Sequence, residues 1–94
     1  MTVIGLLLLE VLIPQAQSLK QKRRIVKGLK DELHRTFNIS IAEVGALEKW
    51  QRSKLAVACA GNEKRFVNSV LSKVVNVVEG KHELELIDYE LELG

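Results

Sequence analysis

The segment Thr2 to Ile13, TVIGLLLLEVLI, constrains the fold most, because it is apolar on both sides of an extended chain. Successive side chains of a strand point to opposite faces. One face carries Val3, Leu7, Leu9, Val11 and Ile13; the other carries Ile4, Leu6, Leu8, Glu10 and Leu12, and only Glu10 marks it as the less buried. Such a strand belongs in the interior of a sheet. Pro14 ends it, since proline has no N–H to give to a ladder. A signal peptide is not expected, for want of a basic leader. A membrane span is not expected either, because Glu10 interrupts an apolar stretch too short to cross a bilayer.

The rest of the chain alternates between two periods. Ser18 with Gln21 three positions on forms an S-x-x-Q capping box. Ile25, Val26, Leu29, Leu33 and Phe37 then recur at helical spacing, with Gly28 as a weak point costing on the order of 1 kcal/mol relative to Ala. NISIAEVGA, Asn38 to Ala46, predicts a second strand, and KLAVACAG, Lys54 to Gly61, a third, joined as a hairpin through a loop at Leu47 to Ser53. Asn62 is expected to cap a second helix whose stripe is Val67, Val70, Leu71, Val74, Val75 and Val78, closed by Gly80. HELELIDYELEL, from His82, is a last strand whose apolar positions change phase between Leu86 and Ile87, which predicts a bulge there.

The order βαββαβ with right-handed crossovers most simply builds an α+β, ferredoxin-like sandwich. Its four-stranded antiparallel sheet runs 4-1-3-2 with both helices on one face. Residues 1–94 read as one such domain, long enough for a single core but not for a deep enclosed cavity as well.

The net charge of +2 hides a strong segregation. Ser18 to Phe37 holds seven Lys/Arg against Asp31 and Glu32, a net of +5, whereas Lys81 to Gly94 has one Lys against five carboxylates, a net of −4. Lys20, Lys22, Arg23 and Arg24 stand at a helix start, where the backbone dipole disfavours cations by a few tenths of a kcal/mol each. The expected topology puts these four at one end of the molecule with Lys49, Trp50, Gln51, Arg52 and His82. Lys20, Arg23, Arg24, Lys27, Lys30 and Arg35 share the arc opposite the apolar stripe, and a solvated outer face explains them as well as a ligand does. Lys22 falls in the apolar arc itself, so it either snorkels to the sheet edge or pairs with a carboxylate such as Glu10 or Glu43. Trp50, the sole Trp, either folds back as a lid over the apolar edge, the reading favoured here, or stacks on a base beside Arg52.

Several chemistries find no support. Cys59 is alone, which excludes an intramolecular disulfide and a Cys-based metal cluster and fits a reducing cytoplasm. His34 and His82 are expected at the surface and lack the spacing of a metal site. There is no nucleophile, base and orienter spacing and no glycine-rich phosphate loop, so neither catalysis nor a cofactor is expected.

Several motifs in order, IPQAQSLKQKRRIVKGL, FNISIAEV, WQRSKLAVA and the closing DYELEL, resemble the YlxP-like family of small conserved bacterial proteins of unknown function, almost end to end. The resemblance implies a ferredoxin-like fold and a bacterial cytoplasmic protein, in a family whose genes often lie among those for translation factors and ribosome maturation. Ser18, Lys20, Lys22, Arg23, Arg24, Trp50 and Gln51 occupy the matching motif positions. GALEK departs from the pattern, where a polar Asp/His-containing stretch is expected.

Two functions are therefore expected. One is an RNA- or ribosome-associated binding module, with Lys20, Lys22, Arg23, Arg24, Lys27, Trp50 and Arg52 as its contacts. It would not work like an RRM, which stacks bases on aromatics of its central strands, since none occurs there. The alternative is a protein-interaction or oligomerisation module, such as a homodimer, using Ile4, Leu6, Leu8 and Leu12 on the sheet face that the helices leave open.

Overall fold

The first strand has a partner along each edge, as its two apolar faces require. A computed structural model describes all residues, Met1 to Gly94, in the order β1 (Val3–Leu12), α1 (Leu19–Thr36), β2 (Ser40–Gly45), β3 (Arg52–Gly61), α2 (Lys64–Glu79) and β4 (Glu85–Leu93). The strands form one antiparallel sheet in spatial order β2-β3-β1-β4, the ferredoxin-like 4-1-3-2 order read from the other edge. β1 pairs with β3 from Val3↔Gly61 to Leu12↔Arg52 without interruption.

Burial along β1 alternates strictly at first, then softens toward Leu12. Val3, Leu7, Leu9, Val11 and Ile13 face the helices and are fully buried. They meet Leu55, Val57 and Cys59 of β3, the α1 stripe Val26, Leu29 and Leu33, and Val67, Leu71, Val74, Val75 and Val78 of α2. α2 covers β1, β3 and β4, while α1 lies over the β2 edge. α2 is rich in Val, which has modest intrinsic helix propensity, so this packing supplies most of its stability.

Gly5 permits α2 to come so close. It sits on the helix-facing side of β1, where an added Cβ would lie 2.4 Å from Val67 Cγ1 and 2.7 Å from Leu71 Cδ1. Both contacts are far shorter than van der Waals separation, and both come from fully buried side chains that have nowhere to move.

Local boundaries depart from the sequence reading in four places. β2 starts at Ser40 rather than Asn38, and β3 starts at Arg52, so the hairpin loop is 46–51. β4 starts at Glu85, because residues 81–84 form a turn in which Leu84 N–H donates to the Lys81 carbonyl, and Leu84 is buried. Asn62 does not cap α2: β3 stays paired as far as Gly61, the helix starts later, and Glu63 is its N-cap with no side-chain hydrogen bond. The bulge is where the change of phase places it. Glu10 pairs with Asp88 and Val11 with Leu86, leaving Ile87 as the extra residue.

Gly5→Ala is expected to destabilise the fold by about 1–3 kcal/mol through overpacking, read as a lower urea midpoint with an unchanged slope. A loss within about 0.5 kcal/mol, the range of neutral surface changes, would show that α2 yields at this contact.

Candidate nucleic-acid interface

The end of the sheet where β1 finishes is tied together by one side chain. Lys22 lies on the first turn of α1, which Ser18 opens by accepting a hydrogen bond from Gln21 N–H at 3.1 Å. The Gln21 side chain returns to Gln17 N–H, one residue earlier than a capping box requires. From this turn Lys22 points inward and is 0% exposed. Its ammonium lies 2.9 Å from Glu43 Oε2 and donates to the carbonyls of Ala46 at 2.8 Å, Arg52 at 3.1 Å and Leu47 at 3.3 Å. Four acceptors for three N–H groups leave Leu47 as the weakest contact.

The sequence folds this way locally because of alternation. Glu43 follows Ile41 on the inward face of β2, and Ser53 precedes Leu55 on the inward face of β3, which brings both beneath α1. Ser53 Oγ donates to Glu43 Oε2 at 2.8 Å, so the carboxylate is held from two sides. No buried side-chain nitrogen or oxygen lacks a partner. Ala46 has φ of +56°, a left-handed conformation that a residue with a Cβ adopts at a cost of roughly 1–2 kcal/mol. Its carbonyl is the closest of the three that Lys22 binds.

A second tie comes from Gln51. Its Nε2 donates to the carbonyls of Pro14 at 3.1 Å and Ala16 at 3.0 Å, and its own carbonyl accepts from Ile13 N–H at 2.9 Å. The β1–α1 connection and the β2–β3 loop are thereby fastened to each other. Trp50 stands between the two anchors and is 54% exposed, so it is not a lid over the apolar edge. With Lys49, Gln51 and Arg52 it forms an open dish on the surface.

The cations divide into engaged and free ones. Lys22 is corrected here from an expected nucleic-acid contact to a buried structural tie, since no external phosphate reaches a fully enclosed ammonium. Arg52 pairs with Glu10, and Lys27 with Asp31 one helical turn away at 2.7 Å. The Lys27 hydrogen bond, with the charges of Lys27 and Arg35, holds the Asp31 carboxyl below its ordinary range. Lys20, Arg23, Arg24 and Lys49 are exposed and have no ion-pair partner. Arg23, Lys27, Lys30 and His34 line a groove of about 390 Å³ between α1 and β2. Arg24 faces the other flank, near Glu32 and Lys81, which pair with each other.

The remaining expected site residues lie elsewhere. Ile4, Leu6 and Leu8 are exposed on the open face of the sheet, while Leu12 is half-buried. Cys59 is buried, and burial pushes its thiol up, which keeps it protonated and unreactive. No three His, Cys, Asp or Glu side chains lie close enough to hold a metal ion. No helix is long and apolar enough to cross a membrane.

Fold and site together define a ferredoxin-like α+β protein with an exposed Trp beside Lys49 and Arg52 at one end of its sheet. The chain belongs to the family described as "Protein of unknown function (DUF503)", whose pattern matches residues 4–91. It is also 30% identical over 82 residues to the uncharacterized protein YlxP of Bacillus subtilis (strain 168), an overlap covering 87% of this chain and 89% of that relative.

Lys22→Met is expected to cost about 3–5 kcal/mol, because it strands Glu43 and three carbonyls without their shared donor. Arg23→Met, one residue away and exposed, should change stability by no more than about 0.5 kcal/mol. Urea denaturation of the pair checks this. Equal effects would mean that Lys22 is not the tie.

Proposed function

We propose that this protein is a non-catalytic module that binds RNA, free or within the ribosome, through the end of the sheet where α1 starts and the β2–β3 loop turns. The observation that carries the reading is Trp50, more than half exposed on a loop anchored on both sides, with Lys49 and Arg52 beside it and Lys20, Arg23 and Arg24 exposed without ion-pair partners at the start of α1. A large apolar ring left in water on a fastened loop is a stacking platform, and base–aromatic stacking contributes about 1–3 kcal/mol per base.

Each group has a distinct role in this account. Lys20, Arg23, Arg24 and Lys49 contact phosphates, and Trp50 stacks on an unpaired base. Arg52 keeps Glu10 neutralised and stays at the rim. Lys22 and Gln51 touch no RNA; they hold the loop in place, which lowers the ordering cost that a flexible loop would add on binding. The bases are met at an end of the sheet rather than on its face, because the central strands offer aliphatic side chains there. A cytoplasmic location follows from such a role.

Titration with bulk ribosomal RNA, followed by Trp50 fluorescence across a salt series, tests the proposal. Four single-strand phosphate contacts predict a log–log slope of about −3, and Arg23→Glu with Arg24→Glu should flatten it. An unchanged Trp50 signal at low salt would make these cations a solvated face and end the RNA reading.

A further inference from the structure

The face of the sheet opposite the helices is built as a ridge beside a groove. β1 presents Ile4, Leu6 and Leu8 there, which are 52%, 37% and 38% exposed. In strict register beside them, β3 presents Ala60, Ala58 and Ala56. Large side chains thus run along one strand and small ones along its neighbour, over the same length. The next pair in the register is Glu10 with Lys54.

Charge follows the same plan. Glu10 lies opposite Asp88 of β4, two carboxylates side by side, and only Arg52 pairs with Glu10. Lys54 is exposed and has no ion-pair partner. The outer rim on β4 carries Glu90 and Glu92, whereas the outer rim on β2 carries Ser40 and Ala42, which pair with Ala58 and Ala56.

We propose that this face binds a second copy of the chain about a two-fold axis parallel to the strands, running between β1 and β3. Rotation about that axis lays the Ile4, Leu6, Leu8 ridge of each copy into the Ala60, Ala58, Ala56 groove of the other. It sets Lys54 of each copy over Glu10 and Asp88 of the other, and it places the acidic β4 rim over the neutral β2 rim. An axis across the strands would instead stack the two acidic rims on each other, which like charges oppose. Ridge, groove and charges are self-complementary, as a two-fold interface demands.

The area is adequate. Four strands spaced about 4.8 Å apart and up to ten residues long at about 3.3 Å each present roughly 500–600 Å². Two copies then bury about 1,000–1,200 Å², the lower bound for a specific interface, as in a weak, reversible dimer. The basic end remains uncovered, so the dimer does not depend on RNA binding and displays two such ends.

Sedimentation equilibrium of the full chain without RNA, from about 1 to 500 µM, tests this. The wild type should pass from monomer to dimer. Glu10→Lys and Lys54→Glu, each folded by circular dichroism, should dimerise at least tenfold more weakly, and Leu6→Glu should be monomeric. An equimolar mixture of Glu10→Lys with Lys54→Glu should regain the dimer, because each copy then meets an opposite charge at both positions. Contacts within one chain do not change on mixing, so they cannot produce that recovery. A wild type that stays monomeric throughout, a Leu6→Glu variant that dimerises normally, or a mixture that remains monomeric would each overturn the proposal.

Discussion

Burying the Lys22 ammonium is the constraint on which this end of the molecule depends. A charge removed from water costs several kcal/mol unless every donor is used. Lys22 meets that condition with one carboxylate and three carbonyls, drawn from β2, from the first two residues of the hairpin loop and from the start of β3. Glu43 of β2 neutralises the charge, and the carbonyls that complete its hydrogen bonds fasten the loop to the ammonium. The left-handed Ala46 is held in place by the same requirement, and its strain is tolerable because losing the Lys22 contact would cost more.

From that tie follows a division of labour among charges that their sequence run conceals. Lys22 is structural, whereas Lys20, Arg23 and Arg24 beside it remain free at a helix start that disfavours them. The penalty is small for each, and Ser18 and Gln21 secure the helix without them. The sheet separates two surfaces in the same way. Its end carries cations and Trp50; its open face carries a Leu/Ile ridge, an Ala groove and matched charges. The two surfaces meet at Arg52, which borders Trp50 and pairs with Glu10 of the open face.

Much of the fold was legible because its signals are periodic. The two-faced apolar run placed β1 at the centre, the 3.6-residue stripes placed both helices, and the change of phase at Leu86 and Ile87 located the bulge. Lys22 in the apolar arc left two readings, snorkelling to the sheet edge or pairing with a carboxylate such as Glu10 or Glu43, and the inward alternation of Ile41 and Glu43 decides for the Glu43 pair. What periodicity cannot carry is a contact between connections. Gln51 closing on the Pro14 and Ala16 carbonyls depends on two loops meeting in space, and no spacing encodes it. The exposure of Trp50 was read the wrong way for the same reason: which side of a loop faces water is set by its anchors. The Asn62 cap failed because strand pairing to Gly61 outlasted a local helix signal.

The central claim is that a prefastened basic end, and not the face of the sheet, is the surface that meets RNA. Backbone amide NMR spectra recorded while a short single-stranded RNA is added at low salt test it most directly. The account predicts shift changes confined to the start of α1, Leu19 to Arg24, and to the loop Leu47 to Arg52. Changes centred on Leu6, Leu8, Ala56 and Ala58, or none at saturating RNA, would contradict it.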